Sequence, residues 1–215
     1  RSNGEIISFC QSFMTELRRH VGEYTDVPAG DIGVGQREIG YMFGQFKRLT
    51  NRYEAGVLTG KGLSYGGSLA RSEATGYGAV YFAQRMLEKN GQSLEGMRVS
   101  VSGTGNVALH ATITACSDSS GYIADPEGID LELIWNIKEI RRERVISYAQ
   151  EKGSQAKFVP KGTGSIWDVP CDCALPCATQ NELDRQNAMS LAANGVLAVV
   201  EGANMPCTPQ AVDVF

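Results

Sequence analysis

The chain has 215 residues, 42% apolar and 20% charged, enough to bury a core the size of one large domain, or one domain and part of another, and too apolar for wholesale disorder. Its net charge of −4 argues against nucleic acid or an anionic membrane as a partner, and no apolar run approaches the roughly 18 residues of a membrane span. Glycine makes up 25 of the 215 residues and sits in scattered turns, as expected where backbone approaches a ligand.

In chain order, Ile6, Phe9, Cys10, Phe13, Leu17 and Val21 recur at helical spacing, which predicts a helix over residues 5–21 stopped by Gly22. Asp26 to Gly35 (DVPAGDIGVG) is turn-rich and holds no regular element. A second helix is expected from Arg37 to Asn51, with Ile39, Phe43, Phe46 and Leu49 on one face. Glycines return from Thr59 to Gly78, leading into a helix that ends near Asn90-Gly91. The period then changes: Arg98 to Ser102 and Ile113 to Cys116 read as strands, and a long charged helix is expected from Leu131 to Lys152. Phe158-Val159, Cys173 to Leu175 and Val196 to Glu201 are short apolar runs, and a last helix starts after Pro209. Strands alternating with helices mean an α/β fold, a mostly parallel sheet covered on both faces. The first, mostly helical part gives way to it near residues 60–75.

The sharpest motif is G-x-G-x-x-A at Gly103, Gly105 and Ala108, directly after the first strand. The first glycine permits a tight turn, the second lets backbone approach a pyrophosphate, and the small third residue lets a helix pack on the strand. A plain strand-to-helix turn is the alternative; the βα context favours a Rossmann-like, doubly wound cofactor domain. The end of the second strand reads Cys116-Ser117-Asp118-Ser119-Ser120-Gly121. There an acid suits ribose hydroxyls, while hydroxyl residues, and cations that a helix carrying Lys138, Arg141 and Arg142 could bring, suit a 2′-phosphate; Asp118 as a turn acceptor or helix cap is the other reading. Asp31 stands between glycines, and on local grounds such an acid is a turn residue. Lys61 lacks the full phosphate-loop spacing. Cys171, Cys173 and Cys177 have no partner pair for zinc, so they and Cys10, Cys116 and Cys207 are expected to be reduced thiols with no metal. Reduced thiols, together with an amino-terminal stretch lacking a basic-then-apolar leader pattern, give the cytoplasm as the expected compartment.

One spacing is anomalous. Asp118 follows Gly105 by only 13 residues, whereas a dinucleotide fold puts its ribose acid about 20 past the glycine turn. Asn106 to Ala111 gives less than two helical turns, and ALHATITAC offers no Gly, Pro or Asn to turn on. About ten residues are therefore expected to be missing at Ala111–Thr112.

The segments FCQSFMTELRRHVG, TDVPAGDIGVGQREIGYMFGQFKRLTN, GVLTGKGLSYGGSLARSEATGYG, VSGTGNVA, SDSSGYI, LPCATQNEL and VEGANMPCTP resemble the small hexameric glutamate dehydrogenases almost end to end. The resemblance implies reversible oxidative deamination of L-glutamate to 2-oxoglutarate and ammonia with NADP, or NAD, in a homo-oligomer, a hexamer. It reverses the local reading of Asp31, which matches the family's proton-transfer aspartate. By the same match Gly30, Thr59 and Arg71 meet substrate, and Thr75, Ser102, Gly103, Gly105, Asn106 and Val107 meet the cofactor. Ala178, Thr179, Asn181 and Asn204 fall near the nicotinamide ribose, and Asp118 and Ser119 near the adenosine ribose. The family's proline after the substrate arginine is Ser72 here, which bears on loop stiffness. Residues 1–65 then correspond to the helical end of a substrate and oligomerisation domain, and 66–215 to the dinucleotide domain. The family's catalytic-lysine segment lies upstream of the match and a serine segment for the distal carboxylate lies downstream. The match is thus to roughly the middle half of such an enzyme. A leucine- or phenylalanine-type dehydrogenase and a non-catalytic nucleotide-binding module are the alternatives; the long PAGDIGVG segment favours glutamate.

Overall fold

The computed structural model describes residues 2–31, 33–69, 74–103 and 112–215, the side chain of Ser154 excepted. The chain divides into two compact units, Arg1–Ser72 and Glu73–Phe215.

The first unit is built on α1 (Asn3–Leu17) and α2 (Gln36–Thr50). A capping box starts α1: the Ser2 hydroxyl accepts from the Glu5 amide, and the Glu5 carboxylate accepts from the Ser2 amide at 2.6 Å. At the start of α2 the Glu38 carboxylate accepts from the Gly35 amide at 2.9 Å. Cys10 and Met14 of α1 pack against Ile39, Met42, Phe43 and Phe46 of α2 and against Val57 and Leu58. Two expectations need correction. The first helix stops at Leu17, because the Arg19 and His20 amides bond three residues back and tighten the last turn. Phe9 and Phe13, on the expected apolar stripe, are 64% and 49% exposed and stack on each other at 6.2 Å.

The second unit holds α3 (Ala74–Lys89), β1 (Arg98–Ser102), β2 (Thr112–Asp118), β3 (Gly121–Ala124), α4 (Leu131–Trp135), α5 (Ile146–Lys152), β4 (Lys157–Pro160), β5 (Cys173–Pro176), α6 (Arg185–Ala193), β6 (Ala198–Val199) and α7 (Pro209–Val212). The sheet runs β4-β3-β2-β1-β5-β6. Its β2-β1, β1-β5 and β5-β6 pairs are parallel, and β2-β3 and β3-β4 antiparallel. Strand residues alternate between two apolar layers. Val99, Val101, Cys173 and Leu175 face Val80, Ala83 and Leu87 of α3 and Tyr148 of α5. Ala115 and Ala174 face Trp167, Leu191 of α6 and Ala211 of α7. This is the expected α/β fold, with a mixed sheet covered on both faces. β1 has parallel neighbours on either side, so the order reverses there, and α/β sheets bind ligands beyond the carboxyl ends of strands at such a point.

The expected helix over Leu131–Lys152 is broken. After α4 the chain makes a π turn at Asn136–Ile140, and Arg142 takes a left-handed φ of 56° before α5 begins. Hydrogen bonds to the end of β2, described below, hold the break. β3 was not expected; it pairs back on β2 through a two-residue turn at Ser119-Ser120. Gly121 is obligatory there, since at its φ of 151° a Cβ would lie 2.2 Å from the Val159 carbonyl oxygen. Nine residues, 103–111, join β1 to the parallel β2, whose Thr112 lies in register with Arg98. The expected loss at Ala111–Thr112 falls on this connection, and Ala111 lies outside the described residues. Among the described residues no helix is long and apolar enough to cross a membrane.

Candidate active site

In the first unit the Asp26–Gly35 segment folds as a turn closed by the Val34 amide on the Asp31 carbonyl at 2.7 Å. Gly30 makes the turn possible, because a Cβ there would meet the Val34 carbonyl oxygen at 2.5 Å. The Thr59 amide donates to the Pro28 carbonyl at 2.9 Å and ties the second glycine-rich loop to the first. Gly30, Asp31, Gln36, Ile39, Thr59 and Gly60 together line a cavity of about 160 Å³. Three of the four sequence-derived residues for substrate and proton transfer, Gly30, Asp31 and Thr59, thus share one cavity; the fourth, Arg71, lies outside the described residues. Lys61 is buried, and its ammonium donates to the Leu58 carbonyl; burial pushes its pKa down.

In the second unit Ser102, Gly103, Ala178 and Thr179 meet where β1 and β5 end. Ser102 is 1% exposed; its hydroxyl donates to Glu182 Oε1 at 2.7 Å and accepts from the Cys177 amide at 2.8 Å. Gly103 has a φ of 79°, and its amide donates to Ser117 Oγ at 3.2 Å. Asn181, left-handed at φ 56°, donates its amide to the Met205 carbonyl at 3.0 Å, and so joins the loop that carries Asn204. Gly202 lets these loops close, since a Cβ there would lie 2.4 Å from Cys177 Sγ. Thr75 is exposed in the first turn of α3. Gly105, Asn106 and Val107 lie outside the described residues, as do Ala108 and His110.

At the end of β2 the Asp118 side chain is 8% exposed. It accepts from Lys138 Nζ at 2.9 Å, the Val145 amide at 3.0 Å, and the Ser120 amide and hydroxyl at 2.8 and 2.5 Å. Burial pushes its pKa up, but the Ser120 and Lys138 bonds and the two amides outweigh that and hold it below the usual carboxylate value. The next residue, Ser119, is exposed and its hydroxyl accepts from the exposed Arg144 guanidinium at 2.5 Å. Sequence reasoning placed Lys138 near this site but passed over Arg144, and it missed Glu182, although that residue directly follows Asn181. Arg141 faces Glu143 and Glu151 instead.

The cysteines are poorly placed for chemistry. Burial pushes the thiols of Cys116, Cys173 and Cys207 up to about 12 and that of Cys177 to about 11. Among the described residues no group of His, Cys, Asp and Glu is arranged to hold a metal.

The chain was compared with known proteins. A family model described as Glutamate/Leucine/Phenylalanine/Valine dehydrogenase matches residues 66–215, and one described as the Glu/Leu/Phe/Val dehydrogenase dimerisation domain matches residues 1–48. The chain is 56% identical over 229 residues to the NADP-specific glutamate dehydrogenase of Helicobacter pylori J99, covering 100% of this chain and 51% of that one. It is 52% identical over 227 residues to the NADP-specific glutamate dehydrogenase of Escherichia coli K12, covering 100% of this chain and 50% of that one. Among solved structures, the glutamate dehydrogenase of Plasmodium falciparum superposes with a TM-score of 0.87 at 46% identity, over 100% of this chain and 48% of that one. The chain spans about half the length of the curated relatives it matches. Set against 215 residues, alignments of 229 and 227 leave at least 14 and 12 positions of those relatives with no counterpart here. Two family models and relatives of this closeness leave one assignment: the chain belongs to the Glu/Leu/Phe/Val dehydrogenase family.

Proposed function

We propose that the whole protein is a glutamate dehydrogenase that interconverts L-glutamate with 2-oxoglutarate and ammonia and prefers NADP to NAD. Residues 1–65 contribute the end of its substrate and oligomerisation domain, and 66–215 its dinucleotide domain. The observation that carries the reading is the cavity where Asp31 and Thr59 meet between two glycine-rich loops, in a chain 56% identical to a named glutamate dehydrogenase. Asp31 is the proton-transfer group, shuttling a proton between the substrate's amino group and water. Gly30, Thr59 and Arg71 hold the substrate. The dinucleotide supplies the hydride acceptor. Ser102, Gly103, Gly105, Asn106, Val107 and Thr75 hold its pyrophosphate and nicotinamide portions, with Ala178, Thr179, Asn181 and Asn204 at the nicotinamide ribose.

The adenosine end supports NADP. Lys138 neutralises Asp118, so this acid does not repel a 2′-phosphate, and Ser119 with Arg144 offers that phosphate a hydroxyl and a guanidinium. The NADP-specific names of the two bacterial relatives point the same way. The protein works in the cytoplasm as a homo-oligomer, a hexamer, without nucleic acid or membrane as partner. The test is a glutamate assay of the full-length protein with each cofactor, alongside Asp31→Asn. A positioned acid–base group contributes about 10²–10⁴-fold, so kcat should fall by that order while the cofactor Kd holds. A near-normal kcat removes Asp31 from the mechanism. The 215-residue stretch by itself should not turn over glutamate.

A further inference from the structure

Just past the carboxyl end of β5, three successive backbone amides point inward. That of Cys177 donates to Ser102 Oγ at 2.8 Å, and those of Ala178 and Thr179 donate to Glu182 Oε1 at 2.9 and 3.3 Å. The Ser102 hydroxyl donates to the same carboxylate oxygen at 2.7 Å. A row of consecutive N–H groups makes an anion-binding concavity, and here the anion is the chain's own side chain. Ser102 ends β1 and directly precedes Gly103, so the carboxylate fastens the loop after β5 to the strand that leads into the glycine turn. Among the described residues no lysine or arginine pairs with Glu182.

We propose that Glu182 is the positioning residue of the nicotinamide end of the cofactor site. It acts through the loop it holds: by taking up the Ala178 and Thr179 amides it fixes both residues where they meet the ribose. It also withholds those amides from phosphate, which leaves the pyrophosphate to the glycine turn after β1. The proposal rests on the reading above that Ala178 and Thr179 face the cofactor. Placement at such a site is critical, since a displacement of about 1 Å can cost about a hundredfold in rate.

The experiment uses the full-length protein and its Glu182→Ala and Glu182→Gln variants. Dissociation constants are measured for NADPH and for 2′,5′-ADP, which carries only the adenosine half, together with hydrogen exchange of the Ala178 and Thr179 amides. Glu182→Ala should weaken NADPH at least tenfold, leave 2′,5′-ADP within twofold, and speed exchange of both amides. Glu182→Gln keeps an acceptor oxygen without the charge and should recover part of the loss. Equal loss of both ligands, loss of neither, or unchanged amide exchange overturns the positioning role alone. A wild-type protein that binds neither ligand overturns the dinucleotide reading and takes this proposal with it.

Discussion

Asp118 at the end of β2 and Glu182 beyond the end of β5 are carboxylates in the same half of the molecule, held in opposite ways. Asp118 is closed off and takes a lysine, two amides and a hydroxyl; Glu182 takes two amides and a hydroxyl and, among the described residues, no cation. The first arrangement cancels a charge and the second keeps one. Burying an acid with its own cation leaves the neighbouring Arg144 unopposed beside Ser119, which suits an incoming phosphate. Filling a row of amides with an acid stiffens a loop while denying it to phosphate. On the proposed cofactor reading, the difference teaches that an acid at a strand end need not touch the ligand to decide which ligand fits.

The largest effect should come from breaking the closed end. Asp118→Ala leaves the mostly buried Lys138 ammonium with the Glu143 carbonyl at 3.1 Å but no counter-ion among the described residues, and the Val145 amide without its acceptor. Removing one partner of a buried pair typically costs 3–5 kcal/mol, and because 18% of the Lys138 side chain remains exposed, about 3 kcal/mol is expected here. Urea unfolding of the variant measures it. A loss below about 1 kcal/mol would place Asp118 with ordinary surface ion pairs and end the contrast with Glu182.

Between the two ends lies the connection from β1 to β2. It has nine residues, and a parallel crossover with its helix takes a dozen or more. The relatives carry at least 12 positions that this chain lacks. The short connection supports the reading that about ten residues are missing at Ala111–Thr112, and the alignment lengths match a loss of that size somewhere along the chain. On that reading the missing length belongs to a crossover helix whose amino terminus would face a pyrophosphate. Inserting about ten helix-forming residues there, closed by a glycine, should tighten NADPH by about a hundredfold, or roughly 2.7 kcal/mol. Titration of both chains by isothermal calorimetry decides it. Micromolar binding by the chain as it stands, or no gain on insertion, removes the idea.

Much of the fold was legible from local pattern, and most of the departures trace to long-range bonds. The 3.6-residue period located α1 and α2 because one face of each meets the other, but it could not tell that Phe9 and Phe13 lie outside that face. The strands β1, β2 and β5 were legible as short strand-like segments, β5 as an apolar run, and the structure buries all three on both faces. Gly121–Ala124 is too short for its alternation to register, and only its pairing with β2 makes it a strand. The residues from Leu131 to Lys152 are good helix formers, and the break among them depends on Asp118, 20 and 27 positions from the Lys138 and Val145 it binds. At the candidate site, Asp31 was legible only through a resemblance, since the cavity depends on Thr59 reaching Pro28. Glu182 bonds the Ala178 and Thr179 amides four and three residues back, but nothing local ties it to Ser102, 80 residues distant, and that bond is what sets it at the end of β1.

The smallest expected effect is the most specific. Arg144 and Ser119 are both exposed and bonded to each other at 2.5 Å, so neither carries much of the fold. Removing either should leave unfolding nearly unchanged. A charge-assisted hydrogen bond to phosphate is worth about 1.5–3 kcal/mol, and solvent screening at an exposed site brings the expected loss for Arg144→Ala down to about 1.4 kcal/mol, or tenfold. That loss should appear with NADPH and not with NADH, which has no 2′-phosphate, and it should shrink as salt is raised. Ser119→Ala should follow the same pattern at smaller size, having lost a hydroxyl and no charge. The comparison is the ratio of the two dissociation constants in each variant at one pH and two ionic strengths. An Arg144→Ala variant that weakens both cofactors equally would mean that the guanidinium serves the loop after α4 rather than the phosphate. Asp118 would then be closed off for the sake of the fold alone, and the proposed preference for NADP would need another source.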